Sequence, residues 1–505
     1  MILLISGFTK TTVYKLNMKL KIAFLYFSFL FLLISCVSTP NGEAVKNNEP
    51  VKIYPDYNDV RIPSNIAPLN FIVEEAGDAY YLMISGEEAG GFAVSSRDGV
   101  FCFSEKKWEK LLAENTGAKI NYQIYIEKEG EWNEYPTFSN SVSAEKVDPF
   151  LYYRLLYPGY ESWTEISIVQ RSLESFQEKA VIENNVVGQN CVNCHAFNNQ
   201  NDEDFMFHMR GNLGGTYFVE DGDLKKVNLK TKEMQNGAVY PRWHPSGKYV
   251  AFSSNKVVQQ FHSKENKKIE VSDLNSSLVM YDVQKNEMMQ VPVDQDKQFM
   301  DTYPEWSPDG SFLYFCRARQ IAKNYDYRDI KYNLYRVAFN PEERTFAEPE
   351  QIFDAAALGK SVSFPRISPN GGSLVFTLHD YGCFSIWHKE ADLYSVNLDS
   401  FKVSECKLNS EFTESYHSWS SNGRWLVFSS KRGDGLTARP YISYIDKNGD
   451  ASKPFVLPQE NPAFYKEFVK TFNIPEFTKT DVDLTPGEIR EVANQKAVQA
   501  QWTQN

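Results

Sequence analysis

Cys191-Val192-Asn193-Cys194-His195 is the segment whose residue types and spacing carry the clearest chemistry. Two thiols three positions apart can reach the two vinyl groups of one porphyrin, and the adjoining imidazole then lies under the iron as proximal ligand. The expectation is therefore one covalent c-type haem, with Cys191 and Cys194 as thioether anchors and His195 on the iron. Sixth-ligand candidates are Met206, His208 and Met209, in the stretch FMFHMR just downstream. Read as a plain strand, that stretch puts Phe205, Phe207 and Met209 on one face and Met206, His208 and Arg210 on the other. Three other uses of the cysteine pair stay open. It can form a disulfide with His195 incidental. It can belong to a zinc site, although four ligands are needed and only His208 is near. It can be a redox dithiol, although that motif belongs in a βαβ unit. Asn, Gly and Gln crowd residues 184–200, which reads as an exposed loop.

The elements that must position this segment begin with an export signal. Met18-Lys19-Leu20-Lys21 is basic, and Ile22 to Ile34 runs 13 residues without a charge, short for a membrane span and normal for a signal peptide. Leu33-Ile34-Ser35-Cys36 then reads as a lipobox, so residues 1–35 are expected to be removed and Cys36 lipidated. Residues 36–55 read as a polar tether. Residues 56–183 hold short strands, such as Ile120 to Ile126 with its period-2 alternation, and suggest a β-sandwich-like domain. SEKKWEKLLA from Ser104 is the clear helix there, with Trp108, Leu111 and Leu112 at helical spacing.

From Tyr240 the chain repeats. YPRWHPSGKYVAFSS begins at Tyr240, YPEWSPDGSFLYF at Tyr303, FPRISPNGGSLVFT at Phe364 and YHSWSSNGRWLVFSS at Tyr416. Each is a hairpin across a tight turn, and a second hairpin follows each copy, from Ser276, Tyr332, Ala391 and Pro440. Two hairpins make one four-stranded propeller blade. A half-copy from Gly214 brings the countable blades to five, and a sixth is expected to close from Asp204–Arg210 or from elsewhere in the chain. Trp243, Trp306, Ile367 and Trp419 should be equivalent buried positions.

These repeats resemble the TolB-type β-propeller repeat, with W-S-P-D-G at its turn. The segments IPSNIAPLNF, QNCVNCHAF, ESYHSWSSNGRWLVFSS and PFVLPQ extend the resemblance, over about 60–475, to a family of bacterial lipoproteins that join such a propeller to a C-x-x-C-H motif. The resemblance implies a fold and leaves activity open, because such propellers serve many unrelated systems. The expected architecture is all-β, with the sandwich-like domain, a motif loop at 184–201, a TolB-like propeller of about six blades at 202–460, and a tail at 461–505.

Charge and cysteine usage narrow the function. The formal charge is −12, and losing residues 1–35, with four Lys and no acid, takes it to −16. So acidic a mature protein is a poor candidate for binding nucleic acid or anionic lipid headgroups, and no nucleic-acid partner is expected. Cys102, Cys316, Cys383 and Cys406 allow three disulfide pairings that sequence does not rank. His379-Asp380-Tyr381 with His388, and Ser415-Tyr416-His417-Ser418, are polar clusters without a nucleophile elbow. A serine peptidase is excluded, because the residues after Pro462 are too few for a hydrolase domain. No catalytic residue is singled out. The expected protein is a lipid-anchored component of the cell envelope, placed at the outer membrane facing the periplasm. It either passes electrons to a redox partner through one haem, or binds an envelope protein or glycan as a scaffold with a structural CxxC.

Overall fold

The computed structural model describes residues 39–504 apart from 41–42, 161–164, 189, 235, 264–266 and 322–324, so Cys36 and its leader lie outside the described residues. No helix among the described residues is long and apolar enough to cross a membrane.

The alternation in Lys119–Lys128 organises the N-terminal unit. Ile120, Tyr122, Ile124 and Ile126 are buried and their neighbours are not. This strand pairs antiparallel with Ala79–Gly86 on one side, and with Glu131–Glu134 and Phe138–Ser143 on the other. A smaller sheet of Ile53–Tyr54, Phe71–Val73 and Val100–Phe101 packs its inner face on the same core. The helix Glu105–Glu114 covers that core with Trp108, Leu111 and Leu112, and the Trp108 indole donates to Ile66 O at 2.9 Å. Ser104 stands at its N-cap without a side-chain capping bond. The core continues without a break into Trp425, Ile442 and Phe455 of the second unit, so the two units share one apolar interior.

Six antiparallel sheets make the propeller. Blade 1 is Thr471–Thr478, Phe150–Leu156, Ser167–Ser172 and Glu178–Glu183, from the axis outwards. Blade 2 runs Cys191–Asn198, Asn201–Arg210, Gly215–Glu220 and Asp223–Asn228. Blade 3 begins with Ala238–Trp243, blade 4 with Phe299–Trp306, blade 5 with Ser361–Ile367 and blade 6 with Glu414–Trp419. Trp243, Trp306, Ile367 and Trp419 occupy equivalent, buried inner-strand positions, all at most 8% exposed.

Three sequence boundaries are corrected by this pairing. The expected sandwich domain at 56–183 ends earlier, because 150–183 supplies three strands of blade 1. The expected tail at 461–505 is structural: Thr471–Thr478 closes the ring against Phe150–Leu156. A helix Pro486–Asn494 follows, opened by a Thr485–Glu488 capping box, and then Val498–Gln499 and Gln501–Trp502 add parallel edges to blades 2 and 3. The expected loop at 184–201 is largely strand, and Asp204–Arg210 is the second strand of blade 2 and not the closure of a sixth blade. The physical reason is common to all three. A ring closed by a strand from far along the chain leaves only short sheet edges, but it splits one repeat into pieces that no local period reveals.

Candidate functional site

Each inner strand carries one residue in left-handed backbone: Cys194 (φ 55°), Tyr240 (54°), Tyr303 (53°), Phe364 (53°), Tyr416 (49°) and Ile474 (50°). In blades 2 to 6 the pairing with the next strand slips there, for instance between Val239 and Arg242 and between Thr302 and Glu305. In blade 1 the slip lies between Tyr152 and Arg154, opposite Ile474. This is a β-bulge repeated around the ring. A non-glycine residue in that conformation costs about 1–2 kcal/mol, and the packing it permits offsets the cost. Ring centroids lie 4.4 Å apart for Tyr240–Tyr303, 4.1 Å for Tyr303–Phe364 and 4.8 Å for Phe364–Tyr416. Side chains from successive blades thus meet at the axis as an aromatic plug, with Cys194 at the matching left-handed place in blade 2.

The residue after each bulge is Pro475, Pro241, Pro304 or Pro365 in four blades, and His195 or His417 in the other two. Proline suits a bulge because the ladder needs no N–H there. Both histidines use their extra donor. His195 Nε2 lies 2.9 Å from Ile474 O and His417 Nε2 lies 2.8 Å from Val375 O. A carbonyl partner requires Nε2–H, which leaves each Nδ1 bare, and in both residues Nδ1 is buried without a hydrogen-bond partner. Burial pushes both imidazoles down to about 3, so both are neutral.

One residue further on, Arg242, Glu305, Arg366 and Glu476 form a ring of alternating charge, with Ser418 and Ala196 at the remaining two places. Arg242 binds both Glu305 and, at 3.0 Å, Glu476 Oε1, while Arg366 lies 3.5 Å from Glu305 Oε2. Burial raises the Glu476 carboxyl against the pull of Arg242 and Arg366. Glu476 Oε2 accepts no hydrogen bond, its ion-pair neighbour His195 Nε2 being 3.5 Å away and committed to Ile474. The indoles of Trp243 and Trp419 donate to Ala196 O and Arg366 O, each at 3.1 Å, whereas Trp306 Nε1 has no partner. These groups, with Asn199 and Gln200, line an open cavity of about 240 Å³ at the mouth where the inner strands turn outwards. The mouth is therefore lined by indoles and by a balanced charged ring, at zero net formal charge, with Trp306 Nε1 and Glu476 Oε2 buried unpaired in its wall.

The opposite end is closed. The paired strands Tyr249–Phe261 and Ile269–Asp282 outrun their counterparts in the other blades, and Asp273 on the second is fully buried. Its carboxylate accepts from Tyr332 at 2.7 Å, Cys383 Sγ at 3.0 Å and Asn255 at 3.0 Å. The sequence clusters nearby bond their neighbours separately and do not converge on one site. His379 Nε2 lies 2.7 Å from Ser363 Oγ, His388 Nδ1 lies 2.9 Å from Glu390, and Ser415 meets Ser385 and not His417. Cys102, Cys316, Cys383 and Cys406 are free thiols. Among the described residues, no group of three or more His, Cys, Asp or Glu side chains is placed to hold a metal ion.

The C-x-x-C-H residues as folded do not fit a haem. Cys191 packs against the cluster between blades 1 and 2 that holds Tyr152, Val192 and Phe197, whereas Cys194 takes the bulge place that Tyr240 holds in blade 3. His195 is 4% exposed, and the ring nitrogen that would hold iron bonds a backbone carbonyl. The three sixth-ligand candidates do not converge. Met206 is buried with Phe218 and Trp243 between blades 2 and 3. His208 faces the same side, 2.9 Å from Thr216 Oγ1, and Met209 is buried on the blade 1 side. The strand alternation is as the sequence reads, but both faces are interior, because a blade is covered by a neighbour on each side.

The ring at Arg242, Glu305, Arg366 and Glu476 was not singled out by sequence. Its signal was a charged residue at the x place of the aromatic-Pro-x-Trp pattern, spelled in full at 240–243 and 303–306 and with Ile367 for Trp at 364–367.

No protein-family model matches the chain, and no curated protein matches it. Among solved structures it is similar to TolB from Acinetobacter baumannii, at 12% identity over 74% of this chain and 85% of that one, with a TM-score of 0.42. A hypothetical selenium-binding protein from Sulfolobus tokodaii is 9% identical over 68% of this chain and 96% of that one, at 0.41. An oligogalacturonate lyase in complex with manganese is 14% identical over 61% and 73%, at 0.34. At these scores the likenesses carry nothing about function; the blade pairing itself makes the chain a propeller with an N-terminal β-sandwich-like unit.

Proposed function

We propose that this chain is a non-enzymatic binding protein of the cell envelope, tethered by lipid at Cys36, whose propeller mouth holds a polar segment of an envelope protein or glycan. The observation that carries the reading is the mouth itself: an open cavity lined by indoles and by the Arg and Glu ring, with Trp306 Nε1 and Glu476 Oε2 buried unpaired in its wall. A ligand that opens the wall and supplies an acceptor and a donor there would satisfy both groups. The balanced ring of two Arg and two Glu disfavours a strongly charged ligand and suits amides or hydroxyls, while the indoles give an apolar face to pack on. The rival reading, electron transfer or redox sensing through one covalent haem c, draws its support from Cys191-Val192-Asn193-Cys194-His195 alone.

The test uses the full chain made in a Gram-negative envelope, with a photo-crosslinking residue at Gln200. The wild-type background should fractionate with membranes and crosslink one discrete partner. Cys36→Ala should move it out of the membrane fraction, and Glu476→Gln should reduce the crosslink at least threefold. No crosslink at Gln200, in protein that is folded and membrane-bound, would refute binding at the mouth.

A further inference from the structure

We infer that Cys194-His195 is the latch that closes the propeller ring, and that this chain has put the C-x-x-C-H spelling to a use other than cofactor attachment. The argument starts from register. Aligned on the bulge, Cys194-His195-Ala196-Phe197 takes the places of Tyr240-Pro241-Arg242-Trp243 and Tyr303-Pro304-Glu305-Trp306. Cys194 has their left-handed φ, and Phe197 is buried as their tryptophans are. The segment is the missing first strand of the half-copy that begins at Gly214.

The substitution of His for Pro then has a specific result. Proline has no donor to offer a neighbouring blade, whereas His195 Nε2–H reaches Ile474 O at 2.9 Å. Ile474 is the bulge residue of Thr471–Thr478, the strand brought from the far end of the chain to complete blade 1. That strand is joined to Phe150–Leu156 by no covalent link, so contacts from adjacent blades decide how firmly it is held. His417, the other histidine at a proline place, points away from it, to Val375 of blade 5. Blade 2 supports the latch with two more ties across the same junction. Lys479 N donates to Gln200 O at 3.0 Å, and the Thr480 hydroxyl bonds Asp202. The bulge conformation also separates the two thiols into different surroundings. Both thiols are free in this strand, Cys191 before the register slip and Cys194 within it, whereas a disulfide needs Cβ atoms about 4 Å apart and facing each other.

The test has two arms on the full chain. In the first, protein is produced with and without c-type haem maturation machinery. The expected mass is the same in both, without covalent haem, and both thiols react with a maleimide once the protein is unfolded. In the second arm, amide hydrogen exchange is followed in 471–478, with blade 5 residues 361–367 as the internal control. His195→Gln, whose amide can still donate, should exchange like wild type. His195→Ala should exchange about tenfold faster in 471–478 and not in 361–367. Should the alanine variant fail to fold, His195→Pro restores the residue of the other blades without a donor, and the same selective loss of protection is expected. Covalent haem on Cys191 and Cys194 in the wild-type protein would overturn the inference, as would equal protection of 471–478 in wild type and in the folded Ala or Pro variant. Neither result depends on whether the mouth binds a partner.

Discussion

Blade 2 and blade 3 begin with inner strands of one shape and two chemistries. Blade 3 spells Tyr240-Pro241-Arg242-Trp243, and blade 2 spells Cys194-His195-Ala196-Phe197, yet φ at the bulge is 54° in one and 55° in the other. What they share is a side chain turned to the axis, a residue that needs no ladder donor, and a large apolar group three places on. The fold is thus set by where bulk is buried and where the strand slips, and identity at each place is free to vary within that. Function enters through the freedom. Blade 3 uses its third place for Arg242 in the charged ring, whereas blade 2 leaves Ala196 there and spends its second place on an imidazole.

The comparison can be broken hardest at the buried bulk. Trp243→Ala removes a core indole together with its bond to Ala196 O, and should cost about 3–5 kcal/mol in urea denaturation. Phe197→Ala should fall in the same range. A loss below about 1 kcal/mol at either position would show that the two strands are not equivalent.

The second-place histidines sharpen it through pH. His195 and His417, and His208 in the second strand of blade 2, are held down to about 3 by burial, against about 6.5 when unfolded. The unfolded chain therefore binds more protons between about 3 and 6.5, so stability falls as pH drops through that window. Each such histidine contributes about 2 kcal/mol of that loss by pH 5. His195→Gln and His417→Gln should each flatten the acid limb of stability against pH by about that amount. Asp392, pushed up to about 7 by burial and by Glu414, works in the opposite sense in part of the same range. The difference between variant and wild type is therefore the quantity to measure. Parallel curves would mean that the imidazoles are not buried neutral.

The smallest effect lies in the turns. In blade 4 Ser307 Oγ accepts from Phe312 N at 2.9 Å, and in blade 6 Ser420 Oγ does the same for Trp425 N. Blade 2 turns instead through Asn199 and Gln200, both left-handed, with no serine at the matching place. Ser307→Ala should cost about 1 kcal/mol by thermal or urea unfolding. Asn199→Gly should be neutral or stabilising, because glycine tolerates that backbone better.

The sequence spoke clearly wherever one physical constraint acted locally. Trp-x-Pro-x-Gly marks a hairpin because proline pre-sets one turn angle and glycine allows the left-handed one, and two such marks with two close variants exposed the propeller. The closing blade was illegible for the converse reason: its inner strand, TFNIPEFT, carries an aromatic and a proline but no turn after it, since the chain goes on to a helix instead of folding back. Cys191-Val192-Asn193-Cys194-His195 reads two ways, because its spelling matches a chemical motif while its place, next to the cluster that holds Tyr152 and at the bulge of an inner strand, obeys the repeat. The ring of Arg242, Glu305, Arg366 and Glu476 was hidden by its own regularity, as charges that alternate between blades look like noise along the chain. The lipid at Cys36 rests on the sequence, its residue lying outside the described ones.

Closure by the final strand has a consequence for how the protein is made. Gln170 and Thr480 bond across 310 residues of sequence, and Phe150–Leu156 waits on the same stretch for its partner. A chain made from its N-terminus presents that strand with an unpaired edge until almost everything behind it has been added. Long-range pairing of this kind is slow, and an open edge invites the wrong neighbour. Biogenesis is therefore the vulnerable hour of this protein: a ribosome that stops a few dozen residues early releases five finished blades and one sticky seam.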